Sequence, residues 1–149
     1  MVFRWSLPAA FVCCFALTVS AQPVTKAAPA KSDAALIARG KYIVERVSTC
    51  QDCHSARDQH GQFVKDKWLQ GAPLLFKPTV PMPAWADFAP PIAGLRGWKE
   101  ADGVKFLMTG VDGTGTKRRP PMPEYRFNRS DAIAIVKYLK SLNTAAAAK

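Results

Sequence analysis

The chain has 149 residues, with 21 Lys and Arg against 11 Asp and Glu, for a formal net charge of +10. That length suits one small domain rather than two, and 48% apolar with 21% charged residues excludes wholesale disorder. The 12 prolines predict extended loops, and no internal repeat points to a solenoid.

Residues 1–21 read as a secretory signal peptide: Arg4 supplies a positive start, residues 7–19 are a nearly uncharged apolar run, and Val19-Ser20-Ala21 offers small residues for cleavage. The run is shorter than the roughly twenty residues a spanning helix needs, which favours cleavage over a retained anchor. Cys13 and Cys14 leave with it. The chain is therefore expected to be exported, and the only cysteines left are Cys50 and Cys53. A bond closing so short a loop restricts an unfolded chain only modestly, so these thiols are expected to do chemistry rather than act as a scaffold.

Residues 22–32, rich in Ala, Pro and Lys, read as a flexible leader, 33–142 as one domain, and 143–149 as a disordered tail. Helical patterning predicts a first helix over 33–48. Ser32 or Asp33 caps it, Leu36, Ile37, Tyr42, Ile43 and Val47 form its apolar stripe, and Gly40 implies close approach by another backbone. Residues 71–91 are Pro-rich without alternation, so no sheet is expected there. A second helix over 99–109 turns Val104, Phe106, Leu107 and Met108 inward and ends at Gly110. A third over 130–142 is capped by Ser130, with Asp131 in its first turn. It buries Ala132, Ile135, Val136, Leu139 and Leu142 and leaves Lys137 and Lys140 solvated. The fold class is all-α with long loops, and such loops make physical sense if they wrap a cofactor that completes the core.

Cys50-Gln51-Asp52-Cys53-His54 is a C-x-x-C-H run, the pattern for covalent c-type haem attachment. Thiols two residues apart reach both vinyl groups on one porphyrin edge, and the next residue brings an imidazole under the iron. A zinc site from Cys50, Cys53, His54 and His60 would require adjacent Cys53 and His54 to share one tetrahedron. A redox dithiol lacks βαβ surroundings, and a plain disulfide is the remaining alternative. The second axial ligand decides what such an iron does. His60 lies close to His54 in sequence and reads as a loop histidine. Met108 reads as core. Met82 and Met122 each lie in Pro-Met-Pro, whose prolines stiffen the loop presenting the sulfur. Met122, just before the final helix, is preferred and Met82 is second.

Cys50-Gln51-Asp52-Cys53-His54, Gly97-Trp98, Arg119-Pro120-Pro121-Met122-Pro123-Glu124-Tyr125 and Tyr138-Leu139 together resemble the class I cytochrome c family. The likeness is closest to single-haem bacterial periplasmic cytochromes and the cytochrome subunits serving dehydrogenases and oxidases, and it spans about residues 33–142. It implies the cytochrome c fold around one covalent haem c, with thioethers at Cys50 and Cys53, proximal His54 and distal Met122. It also implies first and last helices crossing near Gly40 and Tyr138, and a carbonyl of Pro90 or Pro91 accepting the proximal imidazole proton. Trp98, and Arg57 or Arg96, would meet the haem propionates.

These expectations define a one-electron carrier that makes and breaks no substrate bonds. It would move charge between a dehydrogenase or respiratory complex and an acceptor such as a terminal oxidase. Lys117, Arg118, Arg119, Arg126 and Arg129 would form a positive rim steering an acidic redox partner, with a solubilising surface as the plain alternative. No nucleic-acid motif accompanies the charge. The rival reading is a haem enzyme or gas binder with an open or weakly closed sixth site, for which no distal His or catalytic acid is evident.

Overall fold

In the computed structural model, which describes Met1 and residues 32–146, helices α1 (Asp33–Tyr42), α2 (Gln51–His54), α3 (Glu100–Thr109) and α4 (Arg129–Ala146) are joined by long connections. The segments read as signal peptide and most of the leader lie outside the described residues. Among the described residues no helix is long and apolar enough to cross a membrane.

The Ser32 side chain caps α1 by accepting from the Ala35 amide at 3.3 Å. The first helix covers nearly the span its periodicity predicts, but its last turn, Ile43–Val47, widens to π geometry. The Cys50 amide then reaches back to the Val44 carbonyl at 3.0 Å. Such single π turns often sit beside functional sites, and this one delivers the chain directly into the cysteine motif.

The main scaffold is the crossing of α1 on α4. A Cβ on Gly40 would lie 2.0 Å from the Ala134 carbonyl oxygen and 2.8 Å from Tyr138 Cβ, so only glycine permits the approach. The core of Ile43, Val44, Leu69, Ala93, Ile135, Tyr138 and Leu139 forms around it. A second cluster of Val104, Ala132 and Val136 joins α3 to α4, with Met108 packed against it as core. Helix α3 ends at Gly110, whose left-handed φ of 72° suits a glycine C-cap.

Three details correct the sequence reading of these helices. The cap of α4 is Asn128 rather than Ser130: the Asn128 side-chain oxygen accepts the Asp131 amide at 2.9 Å, and Ser130 Oγ donates to the same oxygen at 2.7 Å. Helix α4 runs through Ala146 into the segment read as a disordered tail, where alanines favour the helix. Lys140, read as solvated, donates to the Trp98 carbonyl at 3.0 Å.

The expectation of no sheet within 71–91 is also corrected. Strands β1 (Ala72–Pro73) and β2 (Phe88–Ala89) pair antiparallel, Ala72 opposite Ala89 and Pro73 opposite Phe88. Two-residue strands are too short to carry an alternating signal. Gly71, at φ 85°, turns the chain into β1, where a Cβ would lie 2.8 Å from the Ala89 carbonyl oxygen.

Candidate haem site

The cysteine motif folds as a single helical turn. Cys50 is its N-cap, and the His54 amide donates to the Cys50 carbonyl at 3.0 Å. Residues three apart in a helix share a face, so Cys50 and Cys53 both border the same large cavity, of about 700 Å³. Both are free thiols. Burial pushes the Cys50 thiol up to about 11 and moves Cys53 in the same direction.

His54 follows on that turn and is 7% exposed. Its Nδ1 lies 2.7 Å from the Pro90 carbonyl oxygen. A carbonyl only accepts, so Nδ1 carries the proton and the Nε2 lone pair is left for a ligand. Burial lowers the pKa of the imidazole against the opposing pull of the Pro90 carbonyl, which keeps it neutral.

Backbone bonds fix this side of the cavity. Gly71 N–H donates to the His54 carbonyl at 2.8 Å, while the Ile92 and Ala93 amides share the Leu69 carbonyl at 2.9 and 3.0 Å. The corner at residues 69–71 thus joins the cysteine motif to the Pro90 segment. The imidazole acceptor is Pro90; Pro91 borders the cavity without taking that bond.

Trp98 and Met122 also border the cavity, both half-buried. Trp98 meets Phe106 edge-on at 5.4 Å and is held through its carbonyl by Lys140. Met82 is 40% exposed and is not among the lining residues, so the structure brings Met122, and not Met82, to the site. His60 is an exposed loop residue beside the Gln59 amide.

Arg57, expected near a propionate, is placed elsewhere. It donates to the Gly61 carbonyl at 2.8 Å and to Asp52 at 3.0 Å, lies over the Phe63 ring, and does not border the cavity. Its own hairpin supplies partners close in sequence, which satisfy the guanidinium before the cavity can. Exposed Arg96 does not border it either.

Sequence reading missed the work done by Arg118, Arg119 and Tyr125, all of which line the cavity. Arg118 pairs with Glu124 and its Nε donates to the Pro123 carbonyl at 3.1 Å. Tyr125 stacks on Phe127 and donates from its hydroxyl to the Ser48 carbonyl at 2.9 Å. A run of charges gave no sign that its members point at backbone oxygens.

The residues present fit a haem. Two thiols on one helical face, a buried imidazole with Nε2 free to bind, and an apolar cavity inside the roughly 300–1,000 Å³ range of cofactor sites are the features required. Among the described residues no group of three or more His, Cys, Asp or Glu could hold a metal ion, so the zinc alternative has no site.

A mainly helical chain that closes such a cavity over a C-x-x-C-H turn is a haem protein of c type. The sequence model of the family described as Cytochrome c matches residues 37–143, and the chain belongs to that family. As a member it is a haem-based electron carrier with one covalently held haem c. No curated protein matches the chain.

Proposed function

We propose that Cys50 and Cys53 hold the haem through thioethers, that His54 Nε2 and Met122 Sδ take the two axial positions, and that the protein relays single electrons in the periplasm. Donor and acceptor are a dehydrogenase or respiratory complex and a terminal oxidase or comparable acceptor. One observation carries this reading: both thiols, the Pro90-anchored imidazole and Met122 border a single apolar cavity.

Haem bound there supplies a ferric/ferrous couple. The Pro90 carbonyl fixes the ring plane of His54 and strengthens Nε2 as a donor. Met122 would help hold the bound group and keep outside ligands from it, and a neutral thioether paired with imidazole would raise its reduction potential relative to two histidines. Ile135, Leu139 and Phe127 line the cavity with apolar surface that limits water.

The excess positive charge favours a partner with an acidic docking face. Exposed Lys117 and Arg129 are better placed to steer it than Arg118, whose guanidinium is occupied by Glu124 and the Pro123 carbonyl.

Met122→Ala is expected to abolish the long-wavelength sulfur-to-iron band of the oxidised holoprotein and lower its potential, while Met82→Ala leaves both intact. The reverse pattern overturns the ligand assignment. Ready uptake of carbon monoxide by the reduced wild type would overturn the closed sixth site.

A further inference from the structure

The segment that presents Met122, Arg119-Pro120-Pro121-Met122-Pro123-Glu124, contains three prolines. Proline has no amide N–H, so this turn has few backbone donors with which to tie itself to the rest of the domain. Its carbonyls remain, and one of them reaches a segment distant in sequence: the Pro120 carbonyl accepts the Ala86 amide at 2.7 Å. The other ties to that neighbouring segment come from a side chain. Arg119 Nε donates to the Ala84 carbonyl at 3.1 Å, and Nη2 to the Trp85 carbonyl at 2.7 Å.

The next residue, Ala86, borders the cavity as Met122 does. Two successive carbonyls facing two prongs of one planar guanidinium demand the fork geometry of arginine; a lysine supplies only a point charge. The contact joins parts of the chain 34 and 35 residues apart.

We propose that Arg119 is a positioning residue: a two-pronged latch that fixes the Met122 turn against residues 84–86 and so holds the thioether at the sixth position. The inference rests on Met122 being the distal ligand. It replaces the docking role that the basic cluster implies for Arg119 with an internal one, and the two roles differ in their response to a charge-conserving change.

The test follows imidazole uptake by the oxidised, matured holoprotein, read as the rate at which the sulfur-to-iron band disappears after mixing. Loss of a charged donor's bonds corresponds to about a tenfold effect. Arg119→Lys and Arg119→Gln are each expected to accelerate uptake about tenfold, with the distant exposed Lys65→Gln unchanged. Hydrogen exchange at the Ala86 amide should quicken in the same two variants while core amides of α4 keep wild-type protection.

Wild-type uptake and Ala86 exchange in Arg119→Lys, with the band still lost in Met122→Ala, would overturn the latch and leave the ligand assignment standing. Absence of the band from the wild type would overturn both. A slowing confined to electron transfer with partner protein, rescued by lysine, would assign Arg119 to docking instead.

Discussion

The two sides of the cavity are built on different principles. The His54 side is made of backbone: one helical turn, a π turn leading into it, and amide-to-carbonyl bonds through Leu69 and Gly71 that place the Pro90 carbonyl against Nδ1. The Met122 side is a proline-rich turn held largely by side chains, with Arg118 across its base, Arg119 to residues 84 and 85, and Tyr125 to Ser48. Backbone ties survive most substitutions, whereas side-chain ties are lost one residue at a time. The imidazole side should therefore be the rigid half, and the thioether side the half whose strength single substitutions tune.

The variant expected to break this contrast acts beneath both halves. In Gly40→Ala the new methyl would fall 2.0 Å from the Ala134 carbonyl oxygen, backbone against backbone, so α1 must lift from α4. Overpacking of this severity costs about 3 kcal/mol or more. Thermal unfolding should show that loss, with both axial signatures weakening together. Selective loss on one side would mean that the crossing supports only that side.

Tyr125→Phe sharpens the contrast by cutting one tie on the Met122 side. It leaves the partly buried Ser48 carbonyl without its phenol donor, 2.9 Å away in the wild type, at a cost of about 1 kcal/mol. Imidazole uptake by the oxidised protein should rise severalfold while the environment of His54 is unchanged. Equal disturbance of both sides, seen in the haem-ligand resonances, would refute the division.

What could be read from the sequence follows the same line. The cysteine motif is local, five residues with fixed spacing, so the cavity side it builds could be placed before any fold was known. Gly40 was legible because glycine inside an apolar helical stripe needs a packing reason, which the Ala134 carbonyl supplies. The ties of the opposite side were not legible. Arg119 and Lys140 donate to main-chain carbonyls far along the chain, and a carbonyl leaves no mark in a sequence. Ser130 and Asn128 are both good capping residues two positions apart, and only the geometry assigns the cap to Asn128. The β1–β2 pair depends on Gly71 and a two-residue register.

The smallest expected effect tests the rigid half through pH. The Tyr138 hydroxyl donates to Glu45 Oε1 at 2.6 Å, joining α4 to the π turn that precedes the cysteine motif. Burial first, and then the Glu45 hydrogen bond, push this phenol from 10.0 up to about 12, against a smaller lowering contribution from Trp68. Between these values the unfolded chain has shed a proton that the folded chain still holds, so unfolding releases a proton and alkali favours it. The stabilisation is complete below about pH 10 and is lost as pH rises towards about 12. Denaturant unfolding across that window should show stability falling with pH, and Tyr138→Phe should flatten the fall while lowering stability at neutral pH by about 1 kcal/mol. An unaltered slope in Tyr138→Phe would show that this phenol is not the group whose titration lowers stability in that window, Tyr125, which burial also pushes up to about 12, being the other.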